Sequence, residues 1–223
     1  MGVLETVARI VELGGAPAQA AHVADMRARF EARTGAFAPE DAWFEERSRA
    51  FWCDAVTFGR FGAQVADALD PADAAWLGPL GRAHRGLFRL GGERGELLVD
   101  AWSGAELAVT TMEDASRAEL DASAGQLFDA SVVGTAEPYV VALLPGAVFH
   151  PRDATAAIAP VLVAAHAQGL STVEALDALL RMQRTLRSMS RVKPAYAYRA
   201  EALSLHAPSA PALPVRRAER SPT

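Results

Sequence analysis

The chain has 223 residues, 51% of them hydrophobic and 22% charged, with a formal net charge of -5. These values describe a globular chain long enough to bury its own core, as one large domain or two small ones. They exclude a protein coated all over by nucleic acid and leave a local basic face open.

Cys53 is the single cysteine, which excludes an internal disulfide and a multi-cysteine zinc site. It follows Trp52 in an aromatic stretch and reads as a buried, inert thiol. The opening MGVLETVARIVELGG lacks the basic start and long apolar run of a secretory signal. No stretch reaches the roughly 18 apolar residues of a membrane span. The expectation is a cytoplasmic protein without membrane contact.

Residues 3–12 predict a short helix with Leu4, Val7, Ala8 and Val11 on one face, broken by GGAP. A second helix is expected from about Ala16 to Arg33, with Val23, Met26 and Phe30 inward and Gly35 at its C-terminus. In the next segment Pro39, Glu40 and Asp41 suit a helix start. Phe44, Ser48, Phe51, Trp52 and Ala55 then share one arc, with Glu45, Glu46 and Arg49 opposite. This predicts a core helix with a solvated back and a Glu45–Arg49 pair. Trp43 lies off the stripe, over a neighbouring element. Residues 61–78 continue as short helices, with Asp70 as a cap before Pro71 and Trp76 inward.

From Arg85 the period changes. GLFRLGGERGELLVDAWSGAELAVT reads as three short strands, with GGERG and Ser103-Gly104 as the turns and Leu97, Val99, Leu107 and Val109 on the buried face. EDASRAELDASAG reads as a polar interruption, and QLFDASVVG and YVVALLPGAVF as two more strands separated by GTAEP. About five antiparallel strands make a small sheet or a partly open barrel. Helix returns after His150, with Asp153 as its cap and Pro160 kinking or splitting it. Ser171 and Glu174 form a capping box for a helix whose apolar side is Val173, Leu176, Leu179, Met182, Leu186 and Met189. The proline-rich tail is expected to be disordered.

The expected fold is therefore α+β. A helical segment spans 1–80, a small antiparallel sheet or barrel 81–150, a second helical segment 151–205, and a disordered tail 206–223.

The chain contains no G-x-S-x-G, H-E-x-x-H, P-loop, EF-hand or G-x-G-x-x-G pattern. No two of its histidines (His22, His84, His150, His166, His206) have helical ligand spacing. No metal and no cofactor is expected. His84 and His150 bracket the strands and could meet near Asp153, which defines the enzyme alternative, a hydrolase for instance, at a nonstandard site.

The charge asymmetry lies at the C-terminal end. Arg181, Arg184, Arg187 and Arg191 recur at spacings of three and four, Lys193 follows, and no acid intervenes between Asp177 and Glu201. Tyr196, Tyr198 and Arg199 stand beside them. Arginine forks suit carboxylate and phosphate partners. The favoured function is a non-enzymatic binding or regulatory protein. It contacts an acidic protein partner through Arg181, Arg184, Arg187, Arg191 and Lys193, with nucleic acid as the second partner class.

Overall fold

A computed structural model describes residues 2–92, 97–136, 139–189 and 191–206. The expected α+β class holds: helices flank one antiparallel sheet. Helix α1 (Val3–Gly14) turns Val3, Val7 and Ile10 inward, as its 3-4 spacing requires. Helix α2 (Ala20–Thr34) follows a 3-10 turn at Pro17–Gln19 and buries Met26, Phe30 and Thr34. It stops at Gly35, whose φ of 94° ends the helical run. Helix α3 (Phe44–Thr57) is followed by the short turns α4 (Phe61–Gln64), α5 (Pro71–Ala74) and α6 (Leu77–Leu80). Asp70 caps α5 as expected, its side chain accepting from the Asp73 N–H at 2.8 Å. Buried Asp73 in turn accepts from Thr6 Oγ1 at 2.6 Å, which ties α5 to α1.

Strands β1 (His84–Gly91), β2 (Leu97–Asp100) and β3 (Glu106–Ala108) form a meander. Strand β4 (Phe128–Ala136) returns to the other side of β1, and β5 (Tyr139–Leu143) pairs with its far edge. The order is β3-β2-β1-β4-β5, with the two-residue β6 (Val148–Phe149) also on β4. The sheet is open, so the barrel alternative is corrected. One isolated parallel bridge, Thr111 to Ala142, touches the β5 edge, and a single bridge does not continue a ladder round to β3.

Three further expectations are revised. EDASRAELDASAG is not an interruption: Asp114–Ala122 forms helix α7, which turns Leu120 into the sheet beside Phe88, Phe128 and Val132. On β2 the deeper residues are Leu98 and Asp100, while Leu97 and Val99 are half-buried. The register follows Asp100, whose carboxylate takes the Trp102 N–H at 3.0 Å and Ser103 Oγ at 2.6 Å and so closes the β2–β3 turn. The cap of helix α8 (Thr155–Ala167) is Ala154, not Asp153, because a 3-10 turn at Arg152–Ala154 feeds the helix. Pro160 stays inside α8 without splitting it. Proline and Ala156, whose carbonyl loses its partner, both lie on the exposed side. Residues 93–95 of the GGERG turn, the end of GTAEP and nearly all of 206–223 lie outside the described residues.

Helix α9 (Thr172–Ser188) starts with the expected capping box: Ser171 N–H reaches Glu174 Oε2 at 2.8 Å, and Glu174 N–H reaches Ser171 Oγ at 3.3 Å. Every residue from Ala175 to Leu180 is buried. On one side lie the α8 residues Ile158, Val161 and Leu162 with Leu87. On the other, Leu180 joins a core shared with α1, α2, α3, Val133 and Val148. Strand β4 is covered on both faces, so its first six residues are buried without alternation.

Between β5 and β6 the chain passes close to α3. Gly146 has φ 106°, and a Cβ there would stand 2.6 Å from the Arg49 carbonyl oxygen. Gly146→Ala is expected to lower stability by about 2–3 kcal/mol. Gly104→Ala, at φ 74° with open space around it, should cost about 1 kcal/mol. Urea midpoints of the two variants check this ordering.

Candidate functional site

Alternation along β1 and β4 turns Arg85 and Leu87, and across from them Asp129 and Ser131, to the face that α3 and α9 cover. Arg85 is thereby buried. Its Nε and Nη2 donate to the two oxygens of Asp129 at 2.9 and 2.6 Å, and its Nη1 donates to Asp177 of α9 at 2.8 Å. The other Asp177 oxygen accepts from Arg33 of α2 at 2.8 Å, and Arg33 continues to Asp54 of α3 at 2.7 Å. Burial opposes the charge on Arg85, but Asp129 and Asp177 more than compensate and raise its pKa.

Arg47 of α3 is fully buried and lies near this chain. Its Nη2 donates to the Thr34 carbonyl at 2.6 Å, and burial lowers its pKa to about 10, so it stays a cation at neutral pH. Arg33, Arg47 and Arg85 thus balance Asp54, Asp129 and Asp177. Cys53 borders the layer, and burial pushes its thiol up to about 12, which removes it as a nucleophile. The space left among Cys53, Asp54, Arg85, Asp129 and Ser131 is ≈ 20 Å³, room for one water. Charges that neutralise one another around a water-sized gap hold elements together.

A second polar group joins α3, β6 and α9. Glu46 accepts from the Phe149 N–H at 3.2 Å and from Arg187 Nη1, so it does not lie on a solvated back. Arg187 also stands 5.9 Å over the Trp43 ring. The expected Glu45–Arg49 pair gives way to Arg49–Glu119 at 2.8 Å, between α3 and α7. His150 Nδ1 lies 2.7 Å from Tyr198 Oη, and burial, with Arg187 and Arg47 nearby, depresses its pKa to about 3.

The enzyme alternative required His84, His150 and Asp153 to converge. His84 Nε2 instead stands 3.3 Å from Asp100, His150 pairs with Tyr198, and Asp153 is exposed in the 3-10 turn before α8. Among the described residues no hydrogen bond or ion pair joins these three, and no group of three His, Cys, Asp or Glu could hold a metal ion.

The five expected binding residues fall into two sets. Arg181 donates to the Arg33 carbonyl and Arg187 to Glu46, so both lean inward against α2 and α3. Arg184, Arg191 and Lys193 are exposed. Arg184 lies across Gly35, where a Cβ would meet its Cδ at 2.7 Å. Beside them, the end of α9 and residues 194–202 enclose a groove of ≈ 110 Å³ lined by Arg181, Thr185, Met189, Tyr196 and Arg199 among others. Met189 is 43% and Tyr196 65% exposed. Met189, expected inward, is therefore a rim residue because α9 ends at Ser188.

Arginine spacing along α9 does not reveal the buried layer, but the sequence carries its signal: Arg47 is four residues before Phe51, and Arg85 is in phase with Leu87. A charge in phase with a buried apolar residue points inward and needs a partner.

Two outcomes test these two buried groups. Arg85→Met strands buried Asp129, leaves Asp177 with Arg33 alone, and is expected to cost about 3–5 kcal/mol, read by denaturant unfolding. His150 takes up a proton near pH 6.5 in the unfolded chain but only near 3 in the fold. The unfolded state therefore holds the extra proton between those values, and stability falls as pH falls through that window. His150→Gln should remove up to about 1.4 kcal/mol per pH unit of that slope, measured as ΔG of unfolding against pH.

Comparison with known proteins leaves the site to speak for itself: no protein-family model, no curated protein and no solved structure matches the chain.

Proposed function

We propose that the protein is a non-enzymatic binding module that takes an acidic segment of a partner protein in the groove at the end of α9. The observation that carries this reading is the company of Met189 and Tyr196: two large apolar side chains, exposed, in one groove with Arg181 and Arg199. An apolar anchor of the partner sits between Met189 and Tyr196, as aromatic and methionine surfaces suit protein contacts. Flanking carboxylates of the partner meet Arg184, Arg199 and Lys193, while Arg181 and Arg187 hold the helix in place from below.

Charge and chemistry favour a protein over nucleic acid. The chain as a whole is acidic, and Arg187 is already neutralised by Glu46. The exposed cations left at this end, with two apolar walls, suit a short acidic and apolar peptide better than a continuous phosphate track. The chain's own residues 207–223 carry Arg216, Arg217 and Arg220 against one acid, Glu219, so they have the wrong sign to fill the groove. No helix among the described residues is long and apolar enough to cross a membrane.

Fluorescence anisotropy with a labelled peptide rich in Asp and Glu around a central Phe tests the reading. Binding is expected, and Tyr196→Ala or the triple change Arg184→Glu, Lys193→Glu, Arg199→Glu should weaken it by about tenfold or more, roughly 1.4 kcal/mol. Preference for a single-stranded oligonucleotide, or unchanged peptide binding in both variants, would contradict it.

A further inference from the structure

A cleft of ≈ 270 Å³ opens between the end of α3 and the turns α4 and α6, with Val56, Arg60, Gly62, Leu77, Gly78 and Arg82 in its lining. Its floor is apolar: Val56 belongs to the main core and Leu77 packs on it. Gly62 keeps that floor close, since a Cβ there would stand 2.5 Å from Leu77 Cδ2. The rim is cationic. Arg82 folds back over Gly78, its Nη1 placed 3.7 Å from where a Cβ of Gly78 would be.

Arg60 enters α4 with φ 53° and ψ 33°, the left-handed region that a side chain disfavours. Backbone strain of this kind collects at ligand clamps. Neither the Arg60 nor the Arg82 guanidinium makes a hydrogen bond or ion pair among the described residues, whereas Arg33, Arg85 and Arg187 each hold a carboxylate. In a chain with 27 acids to 22 bases, these two exposed guanidiniums border one cleft.

We propose that this cleft binds a small carboxylate with a short hydrocarbon body, the carboxylate between Arg60 and Arg82 and the body on Val56 and Leu77. Guanidinium forks match the carboxylate, and the apolar floor selects a ligand that has more than a charged head. The volume lies just under the roughly 300–1,000 Å³ of drug-sized ligand sites, which points to a single short chain or ring. The cleft shares no lining residue with the α9 groove, so the two readings stand or fall separately.

An amide chemical-shift titration of the full chain with hexanoate, hexanol and inorganic phosphate tests it. Hexanoate should give saturable shifts at Gly62, Gly78 and Gly81, with hexanol and phosphate weaker by about tenfold or more. Arg82→Gln should weaken hexanoate by about tenfold. Arg60→Gly adopts the left-handed backbone without steric conflict, so it should keep the wild-type thermal midpoint or raise it and still lose hexanoate affinity. Absence of saturable shifts at the cleft glycines would overturn the proposal. So would phosphate binding as tightly as hexanoate, or wild-type affinity in both variants.

Discussion

Arg85 is the residue on which the arrangement depends. It sits at an inward position of a central strand, and the sheet supplies only half of what its guanidinium needs. Asp129 takes two of its bonds from within the sheet, and Asp177 of α9 takes a third from outside it. Desolvating such a group is costly unless its partners are fixed, and a missing partner leaves charge stranded. The strand can therefore bury Arg85 only if α9 is docked at one register. Asp177 passes the same requirement on through Arg33 to α2 and through Asp54 to α3. Apolar packing between helix and sheet tolerates sliding; a bidentate pair and two single bonds meeting on one aspartate do not.

Docking α9 this way decides which of its arginines can meet a partner. Arg181 and Arg187 flank the helix and are drawn down onto α2 and α3, while Arg184 remains outside on Gly35. The helix stops at Ser188, and the following chain turns back through the 3-10 turn at Pro194–Tyr196. Tyr198 anchors that return on His150, and Tyr196, two residues earlier, is left facing outward. The proposed groove is thus a consequence of how a buried ion layer seats one helix.

The fold class was legible because it rests on apolar pattern, the helical stripes of α1, α2 and α9 and the continuous apolar run of β4. The capping box at Ser171 and the cap at Asp70 were legible because each is a local arrangement of a few residues. Helix α7 was not, because only Leu120 of its nine residues is buried, so its sequence carries a helical stripe one residue wide. The direction of Arg181 and Arg187 was not legible either. Spacing places them on one arc of α9, but whether an arginine meets solvent, a neighbouring carbonyl or a carboxylate depends on α2 and α3, which are more than a hundred residues away. His84 and His150 illustrate the same limit: both lie at the ends of the strand region, yet the open sheet gives each its own partner.

Native-state hydrogen exchange reads whether α9 and the sheet open together. If the Arg85 layer locks α9 to the sheet, amides of β1, β4 and residues 175–183 share one opening free energy, equal to that of global unfolding, while residues 194–206 exchange through smaller openings. Exchange of the α9 amides well before those of β1 and β4 would show that the helix leaves the sheet independently and would contradict the account.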